Sequence, residues 1–144
     1  MKVKFLIILF SFAMANVSAQ EWLTNFEEAK EIASKNNQNI ILVFQGSDWC
    51  GPCIKLDKEV WSTAEFQNLS KDHFVMLQAD FPKRKKNMLS DDLQEHNNKL
   101  AAQYNPNGYF PFVVVLNPNG KVLGNLGYKK STPELFFKKL TAFE

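Results

Sequence analysis

Apolar residues fall into blocks of two kinds along this chain, and the two kinds take turns. From Glu21 to Asn36, residues Trp22, Phe26, Ala29 and Ala33 recur at helical spacing with Ile32 close by, which predicts an amphipathic helix. Asn37-Gln38-Asn39 breaks the pattern, and Ile40-Ile41-Leu42-Val43-Phe44 follows as an unbroken apolar run. Such a run predicts a central strand covered on both faces. Gly46-Ser47-Asp48 forms a turn. Pro52 through Trp61 then predicts a second helix, with Ile54, Leu56, Val60 and Trp61 facing inward. Ser62 or Thr63 is placed to cap a short helix through Leu69. Phe74 to Ala79 predicts a second strand, ended by Asp80. After a basic loop, Lys83-Arg84-Lys85-Lys86, Ser90 is placed to cap a helix running to about Tyr104. Asn105-Pro106-Asn107-Gly108 is a dense turn signal. Phe112 to Leu116 predicts a third strand. Asn117-Pro118-Asn119-Gly120 turns it into an antiparallel partner over Lys121 to Gly127. Thr132 caps a last helix with Pro133 at its first position.

Strand and helix alternate first, and a hairpin and helix close the chain. This order predicts an α/β fold, a central mixed β-sheet flanked by helices on both faces. The 144 residues suit one domain, and 45% apolar content with 13 phenylalanines supplies a core that needs no staples. No repeat, low-complexity segment or long linker divides it.

The first segment stands outside that core. Lys2 and Lys4 precede an apolar run from Phe5 to Ala15, and Val17-Ser18-Ala19 places small residues where a signal peptidase cuts. Residues 1–19 therefore read as a secretory signal peptide and residues 20–144 as the domain. An uncleaved membrane anchor is the competing reading, although the run is shorter than the roughly 20 residues a span needs. Loss of Lys2 and Lys4 takes the formal charge from +2 to zero. A neutral domain argues against nucleic acid as a partner.

The chemistry concentrates at Trp49-Cys50-Gly51-Pro52-Cys53, which holds the only two cysteines. They lie where the first strand turns into the second helix. As a staple the pair would do little, because so short a loop removes little chain entropy. Redox cycling explains it better, and an exported protein lives where disulfides persist. Cys50 falls where a helix begins, so unpaired N–H groups and the helix dipole favour its thiolate, the attacking species in exchange. Cys53, one turn further in and less exposed, is within reach to close a disulfide with it. Gly51 keeps side chains away from an approaching substrate. Pro52 presets the helical φ without needing an N–H partner.

Trp49-Cys50-Gly51-Pro52-Cys53 resembles the active-site motif of thioredoxins and thioredoxin-like thiol–disulfide oxidoreductases. Phe110-Pro111, just before the third strand, resembles that family's cis-proline loop, and the terminal hairpin and helix match its C-terminal half. The likeness covers roughly residues 21 to 144 and implies a thioredoxin fold. It further implies that Pro111 is cis and faces Cys50 and that Phe110 offers its backbone to a substrate strand. Trp49 reads as a flat apolar cover beside the sulfurs, with a surface-loop aromatic as the plain alternative. Cys50 would attack a substrate disulfide, and Cys53 would resolve the mixed disulfide to a Cys50–Cys53 disulfide. The sequence departs from the family at Phe44, where thioredoxins carry a buried acid that assists proton transfer at the second cysteine. Deprotonation of Cys53 then falls to water, to Asp48 or Glu59, or to the substrate.

Plainer roles are expected elsewhere. Trp22 and Trp61 read as packing residues, as does Tyr128, which could also line the groove. His73 and His96 read as solvated residues at helix ends, with no metal spacing to the cysteines. The Lys83–Lys86 loop should emerge at the cysteine end of the sheet, where it could favour the Cys50 thiolate or attract an acidic partner; a solvated loop is the plain alternative. The sequence thus leads to an exported, periplasmic thiol–disulfide oxidoreductase. It would be a monomer without cofactor, acting on disulfide-containing exported proteins and fed by an upstream membrane thiol donor. A copper(I) site on the two thiolates is the alternative of a different class. A redox-inert adaptor is a third.

Overall fold

The apolar run at residues 40–44 lies at the middle of a five-stranded sheet. The computed structural model describes residues 20–144, so the expected signal peptide lies outside the described residues. The strands are β1 (Trp22–Leu23), β2 (Asn39–Gln45), β3 (Phe74–Asp80), β4 (Phe112–Leu116) and β5 (Val122–Gly127), in the order β1-β3-β2-β4-β5. β3 runs parallel to both β1 and β2, whereas β4 runs antiparallel to β2 and β5 to β4. This is the mixed sheet that the order of blocks predicts, with one more strand.

Successive residues of β2 serve opposite faces of the sheet. Ile40, Leu42 and Phe44 pack with Ala29 and Ala33 of α1 (Phe26–Asn36) and with Leu100 and Tyr104 of α4 (Asp91–Tyr104). Ile41 and Val43 pack on the other face with Leu56, Val60 and Trp61, with Phe66 of α3 (Ala64–Ser70), and with Phe136 and Leu140 of α5 (Pro133–Thr141). Trp61 is the hub of that second layer. Its ring meets Trp22, Phe66 and Phe136 edge-on at centroid distances of 5.8, 4.9 and 5.2 Å. Edge-to-face pairs of this kind each contribute about 0.5–1.5 kcal/mol beyond the area they bury.

The N-terminal helix is shorter than its periodicity predicts. Trp22 and Leu23 leave the helix to pair with Met76 and Leu77 of β3. Asn25 then caps α1 through its side chain, which accepts from the Glu28 N–H at 3.1 Å. The helix ends at Asn37, which takes the left-handed conformation with φ 53°. Of the two cap residues offered for α3, Thr63 does the capping, accepting from the Phe66 N–H, while the Ser62 hydroxyl donates to Asp57. Ser90 and Thr132 cap α4 and α5.

The second helix also departs from expectation. α2 (Gly51–Leu56) continues as one wider, π-helical stretch over Asp57–Trp61. Cys53, Leu56 and Val60 share its buried face, but Ile54 is turned 100° from Cys53 and stands 49% exposed. It is not a core residue. His96 also differs from the solvated helix-end residue expected. It sits in the middle of α4, half-buried, and its Nε2 accepts the first N–H of α1, from Phe26, at 3.2 Å. His73 follows α3, stacks edge-on with Phe74 and Phe137, and bonds the Glu144 carboxylate at 2.6 Å.

Candidate active site

Parallel pairing sets the site. β2 and β3 end together, with Gln45 opposite Asp80, so the chain leaves both strands at the same edge of the sheet. The loop after β2 carries the cysteines, and the loop after β3 carries the basic residues. Two carboxylates fasten these loops to each other. Asp80 accepts from the Ser47 N–H and from the Ser47 hydroxyl. Asp48 accepts from the backbone N–H groups of Lys83 and Arg84 and from the Asn87 side chain, all at 2.9 Å.

The Lys83 N–H, helped by Asn87 and Arg84, holds the Asp48 carboxyl below the ordinary carboxylate value of 3.8. A depressed native pKa contributes stability that is present above 3.8 and lost as pH falls through the lower native value. The amide resonances of Lys83 and Arg84 should therefore shift together in acid with a midpoint below 3.8, and Asp48→Asn should abolish that titration. A midpoint at or above the ordinary value would show that the loop is not anchored through this carboxylate.

Cys50 and Cys53 are joined in a disulfide, with their Cα atoms 5.2 Å apart. The Cys50 N–H closes the preceding loop onto the Gly46 carbonyl. Cys50 is the N-cap of α2, and its sulfur accepts the Cys53 N–H at 3.3 Å. Gly51 is open, with no atom within 4 Å of where a Cβ would stand, and Pro52 occupies the first turn. Cys50 and Cys53 are both almost wholly buried in the disulfide form, 4% and 3% exposed, so the expected difference in exposure is slight.

The Phe110–Pro111 peptide bond is cis. Pro111 is buried, and with Pro52, Tyr109, Phe110, Phe112, Gly127 and Tyr128 it lines an open groove of ≈ 430 Å³ beside the disulfide. Trp49 stands over the turn. Its Nε1–H donates to the Phe81 carbonyl at 2.7 Å, its ring meets Phe110 edge-on at 5.5 Å, and the Lys83 ammonium sits 3.8 Å from its centroid. A Cβ on Gly46 would strike that ring at 2.3 Å, so only glycine leaves room for Trp49 here. Thus Trp49, Cys50, Gly51, Pro52, Cys53, Phe110 and Pro111 all come together at one edge of the sheet.

Phe44 is fully buried, in the core layer between the sheet and helices α1 and α4. Asp48 and Glu59, the acids offered in its stead, are both engaged: Asp48 by the basic loop and Glu59 by the Tyr128 hydroxyl. That hydroxyl donates to the Glu59 carboxylate, which raises the pKa of Tyr128. Tyr128 both lines the groove and packs against the core, so its two sequence readings are compatible. Tyr109, 57% exposed on the groove, gave no signal in the sequence beyond its place next to Phe110. Asp57 was missed too. It stands four residues after Cys53, a spacing that places both on one helix face.

Residues 21–118 match the family model described as thioredoxin-like. The chain belongs to the thioredoxin-like family of thiol–disulfide oxidoreductases. A disulfide bond reductase, DsbH of Chlamydia pneumoniae, is 32% identical over 116 residues, covering 81% of this chain and 68% of that protein. A solved structure titled DsbH oxidoreductase superimposes with a TM-score of 0.80 at 28% identity, covering 88% of this chain and 85% of the other. The thioredoxin-related protein DsbJ of Chlamydia pneumoniae is 24% identical over 106 residues, and the chain spans 30% of its length. The mixed sheet and its helices are therefore a thioredoxin fold. In this thioredoxin-like chain the disulfide occupies the strand-to-helix turn, and the cis-proline loop lies beside it.

Proposed function

We propose that this protein is an exported reductase or exchange catalyst for disulfides in other exported proteins. The carrying observation is a Cys50–Cys53 disulfide at the start of a helix, with the Cys50 sulfur already accepting a backbone N–H. In the reduced protein the same N–H and the helix dipole favour the Cys50 thiolate. That thiolate attacks a substrate disulfide presented in the groove along Phe110 and Pro111. Cys53 then attacks the Cys50 sulfur, re-forms the disulfide and releases the reduced substrate. Trp49 and Tyr109 give the groove an apolar rim. Pro111 contributes no N–H of its own there.

Membership of the family and likeness to a disulfide bond reductase support reduction over oxidation. Re-reduction requires an upstream dithiol donor, and export places the protein in the periplasm. Among the described residues no helix is long and apolar enough to cross a membrane. The activity is tested by following reduction of insulin disulfides with a dithiol supplied in excess. Turnover that exceeds the dithiol alone supports the reading. No acceleration, with tight binding of copper(I) to the reduced pair, would transfer the site to metal handling.

A further inference from the structure

The position where thioredoxins carry a buried acid holds Phe44, which is wholly buried, and Asp48 and Glu59 are both committed to other partners. The fold places Asp57 beside Cys53 instead. The Asp57 N–H bonds the Cys53 carbonyl, one helical turn back. Cys53 and Asp57 both line a cavity of ≈ 130 Å³, together with Gln45, Ser47 and Ile54. A water fills about 30 Å³ of liquid and needs two to four polar partners. Gln45, Ser47 and Asp57 offer them. One Asp57 oxygen accepts the Ser62 hydroxyl at 3.0 Å, which leaves the second for water.

We propose that Asp57, through water in this cavity, is the proton acceptor for Cys53 when the mixed disulfide is resolved. This deepens the exchange reading and rests on it. The Cys53 thiol gives its proton to the water, which passes one to the Asp57 carboxylate. The Cys53 thiolate attacks the Cys50 sulfur. A Cys50–Cys53 bond forms, the bond from Cys50 to the substrate sulfur breaks, and that sulfur leaves with the electron pair. The two electrons go to the substrate disulfide, so no further oxidant is needed. In re-reduction the proton returns from Asp57 to the departing Cys53 sulfur.

The test mixes the reduced full chain with one equivalent of an aryl disulfide whose thiolate is coloured, dithionitrobenzoate. Attack by Cys50 releases the first thiolate in a bimolecular phase. Attack by Cys53 releases the second in a phase independent of concentration. Asp57→Asn keeps the size of the side chain and should slow only the second phase, by roughly a hundredfold near neutrality. The deficit should close above about pH 9, where a thiol ionises unaided. Asp57→Glu should restore most of the rate, and Ser62→Ala should leave the shape of the pH profile intact. A second phase unchanged in Asp57→Asn overturns the proposal, as does one slowed equally at every pH. Absence of a second phase in the wild type would overturn the exchange reading itself.

Discussion

Cys50→Ser will reduce the rate of insulin disulfide reduction to that of the dithiol alone, a loss of at least roughly 10³-fold. The reason is chemical. A serine hydroxyl at the same helix start is not ionised near neutrality, so no anion is available to attack sulfur. Cys53→Ser should fail differently. The first attack proceeds, but nothing resolves the product, and the protein accumulates as a covalent adduct with its substrate. Non-reducing electrophoresis of the two variants after exposure to an oxidised protein substrate reads the difference. An adduct with Cys53→Ser and none with Cys50→Ser assigns the roles. Equal adduct formation by both variants would mean that either sulfur can start the reaction and that the helix start confers no advantage.

Phe44→Asp is expected to cost about 5 kcal/mol or more. Truncating a buried phenylalanine costs about 3–5 kcal/mol, and a carboxylate left there without partners adds a further penalty or takes up a proton. Phe44 is wholly buried among Ile40, Leu42, Ala79 and Val114. Since domains of this size are stable by about 5–15 kcal/mol, the variant should be at the edge of unfolding. Phe44→Leu, which keeps most of the volume, should lose only about 1 kcal/mol. Urea unfolding midpoints of the two variants check this. A folded Phe44→Asp with little loss would show that this core accepts the acid carried by thioredoxins, and the case for a proton route through Asp57 would weaken.

The parts of the fold that were legible in the sequence are those where one local rule decides. β2 and β4 are apolar on both faces because helices cover both, so they read as unbroken runs. Ser90 and Thr132 sit just before helical periodicity and cap it. The cysteine motif needs only its own five residues and the strand before it. What was not legible depends on contacts distant in the chain. Trp22 has helical spacing to Phe26 and Ala29, yet its backbone pairs with β3, some fifty residues on. Asn25 with Glu28 three residues later was an available start signal for α1. His96 is polar enough to look solvated until α1 arrives with an unpaired N–H. Asp57 shares a helix face with Cys53 in any reading, but its relevance depends on the cavity, which Gln45 and Ser47 close from another element. Glu59 looked available because its partner, Tyr128, comes from a loop the sequence does not juxtapose; the Lys83 loop was expected near the cysteines, but not that its backbone N–H groups bind Asp48.

Reactivity turns on a sulfur kept ionised by the helix that starts at it. The direct measurement is the ultraviolet absorbance of the Cys50 thiolate against pH in the Cys53→Ser variant, where no second thiol interferes and the backbone N–H remains. A midpoint well below about 8.5, the value of a free thiol, is predicted. A midpoint at or above it would contradict the claim, whatever the fold.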